Sequence, residues 1–296
     1  MRITLQIAAL MFILASIQAT PAIGQRGQPA SPQAAAPVDL TGYWVSVVTE
    51  DWRHRMMTPR PGDFESLPLN GNGREVGNSW DLDEDNANGM ECKAFGIGGI
   101  IRQPGRLHIT WSDENTLQLD FDAGTQTRMI HFGGANGAAP SEVVTLQGHS
   151  VAEWELPPGG RGGNTRAQIG NSTGPIAPGG GGRGTRGGPA PNAGSLTAGG
   201  SLKVVTSDFR EGYLRKNGVP YSESASITEY FHRLPEHPNG DNWLLVITVI
   251  EDPEYLTQPF YTSTHFKLEP NGSGFSPTPC RTAAPPTGVA TDIIPR

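Results

Sequence analysis

Residues Arg106–Phe132 read RLHITWSDENTLQLDFDAGTQTRMIHF. Three runs of alternating apolar and polar residues are broken by SDEN and by AG. A period of two sends successive side chains to opposite faces, which marks a half-buried strand. The breaks carry turn chemistry: Asp113 and Asn115 in the first, Gly124 in the second. The stretch therefore predicts an antiparallel meander. A meander that continues along the chain closes into a barrel or folds into a sandwich.

It does continue. LTGYWVSVV (40–48) reads as the first strand, and GIGGIIRQ (96–103) as a strand before the meander. SESASITEYFHRL (222–234), NWLLVITVIEDP (242–253) and QPFYTSTHFKL (258–268) follow it, with Asn239-Gly240 as a turn signal between the first two. Little is helical; REVGNSWDLDED (74–85) holds one or two turns at most. The segment 157–200 is rich in Gly and Pro, carries Arg161, Arg166, Arg183 and Arg186, and has no acid. It lacks the apolar residues needed to offset chain entropy and is expected to be a disordered insert. Removing it joins GHSVAEWE (148–155) to GSLKVVTSDF (200–209) as one hairpin. The expected architecture is all-β, an antiparallel meander closing into a lipocalin- or calycin-like barrel. Residues 39–281 form its single domain, and 282–296 are a disordered tail.

The N-terminus predicts export. Arg2 and the apolar run LQIAALMFILASI precede small residues at Ala22 and Gly24, the pattern of a signal peptide spanning 1–24. Residues 25–38 are then a disordered leader. The expected location is periplasmic or secreted, with no integral membrane association. Cys92 and Cys280 are the only cysteines, and an oxidising compartment permits one disulfide between them. The formal net charge is −7 and no basic stripe is interleaved with aromatics, so no nucleic-acid partner is expected.

Two resemblances add to this reading. DLTGYWVSVV resembles the opening strand of lipocalins and related calycins, with Gly42 and Trp44 matching the Gly-x-Trp pattern whose Trp plugs one barrel end in that family. GHSVAEWE, GSLKVVT, TEYFHRL and TVIEDPEYLTQPF resemble a broad family of exported bacterial proteins of unknown function. The chain departs from that family by its insert, by Val205 where an Asp is common, and by Phe260 for a final Trp. The resemblance implies an exported β-barrel and carries over no catalytic role.

Strand parity sorts the chemistry. Ile227, Glu229 and Phe231 share one side of their strand, so Glu229 is an acid facing the core. A buried carboxylate must be paired, hydrogen-bonded or protonated. Either it forms an ion pair with Arg128 or Arg233, or its raised pKa makes it a general acid or base beside His131 or His149. Those two histidines, His265 and Glu229 suit zinc or iron in kind, but no local spacing forces a site, and no cofactor is expected. DLDEDNANGMEC (81–92) fails as a calcium loop, with Asn86 at the glycine position and Cys92 in place of the bidentate Glu. Asp252, before Pro253, reads as a turn cap.

Two functions follow. The first is a binding barrel for a small hydrophobic or aromatic molecule, its pocket lined by Trp44, Trp111, Arg128, Met129, Trp154, Phe231 and Tyr261. The second is an acid–base enzyme on the same barrel, using Glu229 with His131 or His149.

Overall fold

The computed structural model describes residues 30–133, 143–156 and 200–286. The expected signal peptide, nearly all of the insert and the last ten residues lie outside the described residues. Among the described residues thirteen strands run in chain order: β1 (Gly42–Val47), β2 (Arg106–Asp113), β3 (Thr116–Phe121), β4 (Ala123–Gly124), β5 (Gln126–Phe132), β6 (His149–Glu155), β7 (Ser201–Ser207), β8 (Gly212–Arg215), β9 (Val219–Tyr221), β10 (Ser226–Arg233), β11 (Trp243–Glu251), β12 (Phe260–Glu269) and β13 (Thr278–Pro279). Nine of them close a barrel in the order β1-β12-β11-β10-β7-β6-β5-β3-β2. The quoted stretch supplies β2, β3 and β5, with Leu117 opposite Ile130 and Leu119 opposite Arg128. The hairpin across the insert is also present: His149 pairs with Ser207 and Glu155 with Ser201.

The barrel is not a pure meander. β5 and β6 pair in parallel, Ile130 opposite Ser150 and Phe132 opposite Ala152. A parallel pair requires a crossover of a dozen residues or more, and residues 133–148 provide its length. Other expectations also give way. GIGGIIRQ is no strand but a buried turn with a 3-10 segment at Ile100–Arg102. Its glycines allow close approach: a Cβ on Gly98 would lie 2.5 Å from the Tyr221 ring. Three short helices, α1 (Trp52–Met56), α2 (Gly71–Asn78) and α3 (Leu82–Ala87), occupy the region between β1 and β2. The acidic run at 81–92 starts one of them, because Asp81 accepts from the backbone N–H groups of Asp83 and Glu84 and caps α3. The hairpin β8–β9 was not expected at all, although Asn217-Gly218 signals its turn. Part of the expected leader is docked, with Trp154 Nε1 donating to the Pro32 carbonyl at 2.9 Å.

Inside the barrel, one end is a packed apolar core. Trp44, Leu107, Ile109, Leu119, Val204 and Phe231 belong to it and are essentially inaccessible. Trp44 is wholly buried and donates from Nε1 to the Leu40 carbonyl at 2.9 Å. A second cluster, including Phe209, Tyr221, Ile227 and Ile250, sits under the loops at the other end. There the loop after β11 is held by Asp252, buried, which accepts from the Ser222 N–H and hydroxyl and from the N–H groups of Glu254 and Tyr255. The expected cap at Asp252 is thus in place. Cys92 and Cys280 form a disulfide, and beside it β13 pairs in parallel with β4.

Candidate functional site

Between the two apolar clusters lies a polar belt. Arg128 on β5 reaches across the interior: Nε donates to Ser150 Oγ at 2.9 Å, Nη2 to Thr206 Oγ1 at 2.8 Å, and Nη1 lies 2.5 Å from Glu229 Oε2. One guanidinium therefore ties β6, β7 and β10 together, which its planar fork of donors suits better than an ammonium would. Arg128 and Glu229 are 1% and 0% exposed. Pairing carries the belt onward, Glu229 opposite Thr248 and Thr248 opposite Thr262. Of the two partners the sequence allowed for Glu229, the pair is Arg128. Arg233 instead donates to the Asp39 carbonyl and to Asn242 Oδ1, and lies over the Trp44 ring.

The histidines are on the other side of the wall. Ile130 and Ser150 point inward, so His131 and His149, one position along, point outward. The register of the β5–β6 pair sets the two rings diagonally beside each other on the outer face, stacked with centroids 5.7 Å apart. Gly148 makes the entry to β6: its φ is +66°, and a Cβ there would meet the Ser207 carbonyl at 2.6 Å. His131 Nδ1 lies 3.4 Å from Thr116 Oγ1. Burial, and then the neighbouring His149, lower its pKa, so the ring is neutral at pH 7. Met129 shares this face, and with both histidines, Thr127 and Asp208 it lines a concavity of about 270 Å³. Thr127, Thr145 and Gln147 also line a second concavity, of about 710 Å³, that extends to Lys93 and Glu211. Where the two meet, Gln147 is buried; its Nε2 donates to the Phe95 carbonyl and to Gln126 Oε1, while its Oε1 has no partner.

A third cluster sits where α1 meets the barrel. Arg53 Nη2 lies 3.0 Å from Asp63 Oδ2, 2.9 Å from Glu65 Oε2 and 3.1 Å from His54 Nε2. Those three acceptors are the only metal-spaced set of three among the described residues. The Arg53 nitrogen already occupies the point on which they converge.

Neither a family model, nor a curated protein, nor a solved structure matches this chain.

The expected site residues therefore fall into separate places. Glu229 and Arg128 form a sealed pair, and the barrel wall separates them from His131 and His149. His265, the remaining histidine considered for a metal, is on β12 beside Thr49 and Glu50. Trp44 and Phe231 are buried core, and Trp111 and Trp154 flank Phe132 in a half-buried aromatic row at the apolar end. Tyr261 is 65% exposed, on the outer face of β12. Of the expected ligand-binding set, only Met129 lines the histidine groove. Gln147 and Asp208 were missed. Both lie in loops, where strand parity says nothing about direction. Arg215 was missed with its hairpin, which the Asn217-Gly218 signal would have revealed.

Proposed function

We propose that this chain is an exported β-barrel that binds a small aromatic molecule on its outer wall, over the parallel pair β5–β6, rather than inside the barrel. The supporting observation is the unpartnered Oε1 of buried Gln147 at the junction of the two concavities, beside the stacked pair His131 and His149. A planar ring extends the imidazole stack, Met129 supplies a polarisable apolar contact, and a ligand N–H or O–H satisfies Gln147. The interior offers less: its apolar end is filled by side chains, and its one buried carboxylate is committed to Arg128. A ligand at this groove needs no opening of the barrel.

Titration of the protein with indole or benzoate, followed by NMR of the histidine ring protons, tests this reading. Ring-current shifts are expected at His131 and His149. In the His131→Ala/His149→Ala variant affinity is expected to fall about tenfold or more, a loss of about 1.4 kcal/mol. Shifts confined to interior residues such as Phe231 would instead place the ligand inside the barrel. Native mass spectrometry of protein taken from a periplasmic extract then identifies the molecule that it carries.

A further inference from the structure

The hairpin β8–β9 carries a buried cation that has no direct partner among the described residues. Arg215 is 5% exposed, and none of its three guanidinium nitrogens has a hydrogen-bond partner. Among the described residues no carboxylate pairs with it. The two acids whose fields reach it are already engaged: Asp51 with Arg102 at 2.6 Å, and Asp63 with Arg53 at 3.0 Å. Glu50 is taken by Arg55 at 2.8 Å. Burial pushes the Arg215 pKa down to about 10, which still leaves the group charged at neutral pH. An uncompensated buried charge of this kind is strongly destabilising.

Arg215 borders a void of about 10 Å³, together with His54, Arg55, Arg102, Gln103 and Lys216. That lining contains four cationic side chains and no acid. Three of them are committed elsewhere: Arg55 Nε donates to the Arg102 carbonyl, Lys216 Nζ to the Arg55 carbonyl, and Arg102 Nη2 to Asp51. His54 adds a second free donor. Its Nε2 accepts from Arg53 Nη2, which puts the proton of the neutral ring on Nδ1, and Nδ1 has no partner. The centre of a water-sized sphere can move over about 10 Å³ there, so the void takes one small particle with room for an ion slightly larger than water.

We propose that this pocket holds one monovalent inorganic anion of the size of chloride, bound against Arg215. The ion completes the charge balance of the cluster and clamps α1 and the hairpin β8–β9 to the mouth of the barrel. A water molecule fits the volume but leaves the guanidinium charge unanswered. Sulfate, phosphate and organic acids exceed the space.

Thermal unfolding of the full chain in sodium chloride, against sodium gluconate at the same ionic strength, tests the assignment. Ligand that binds only the folded state raises Tm by mass action, so the chloride sample is expected to melt about 2–4 °C higher or more. Arg215→Met is expected to melt at the same temperature in both salts. Equal melting of the wild-type protein in the two salts would overturn the proposal, as would a chloride effect that survives in Arg215→Met. Should that variant fail to fold, crystals of the wild-type protein soaked in sodium bromide decide. An anomalous peak beside the Arg215 guanidinium supports the anion, and a site with none overturns it.

Discussion

Replacing Glu229 with leucine is expected to destabilise the protein by about 3–5 kcal/mol, the cost of stranding one partner of a buried ion pair. The cause is local. Arg128 keeps its bonds to Ser150 and Thr206, but its buried Nη1 loses the only anion paired with it among the described residues. Arg128→Met is expected to fall in the same range, because it leaves the Glu229 carboxylate buried without a cation. The double variant Arg128→Met/Glu229→Leu is expected to regain most of the loss, since apolar side chains of similar volume replace buried pairs at little cost. Urea unfolding of the four proteins gives the coupling energy directly. Additive losses, with the double variant the least stable of all, would show that the pair does not act as a unit.

Loss of the disulfide is expected to rank beside it. Cys92 and Cys280 are 188 residues apart in sequence, so the bond removes a large amount of disorder from the unfolded chain. In the chain-entropy view a loop of this length brings stabilisation at the upper end of the usual range, about 5 kcal/mol. The Cys92→Ser/Cys280→Ser variant should therefore unfold at markedly lower urea, and reductant should lower the midpoint of the wild-type protein to match. No change on reduction would mean that strand β13 and its pairing with β4 hold the tail unaided.

The barrel was legible because strand parity is a local property. RLHITWS, TLQLDF and QTRMIHF each show the alternation of a strand without reference to any other residue, and each forms the strand expected. The same parity put Glu229 in the interior, with Arg128 or Arg233 left as its possible partner. It failed on direction of pairing. Alternation is identical in parallel and antiparallel strands, so nothing in QTRMIHF or HSVAEWE revealed that β5 and β6 run the same way. The register of that pair, equally silent in the sequence, sets His131 beside His149 on the outer face. Parity also cannot say which face is inside when both carry apolar groups. Met129 made the His131 face look like core, whereas Arg128, Ile130 and Phe132 line the barrel. GIGGIIRQ misled in another way: its apolar residues are buried in a turn, where composition imitates a strand. The cluster around Arg215 draws on segments near residues 55, 102 and 215, a proximity that only the closed fold creates.

The disulfide and the β6–β7 pairing together decide what a cut between residues 157 and 199 would leave joined. The described chain leaves β6 after Glu155 and re-enters β7 at Ser201, directly opposite, so both ends of segment 157–199 are anchored at one hairpin. A protease that nicks the backbone within that segment yields two polypeptides, one containing Cys92 and the other Cys280. The bond between them then joins the halves covalently, while the β6–β7 ladder holds their cut edges in register. Nicked protein would run as one band without reductant and as two with it, a natural split form of a barrel that still closes.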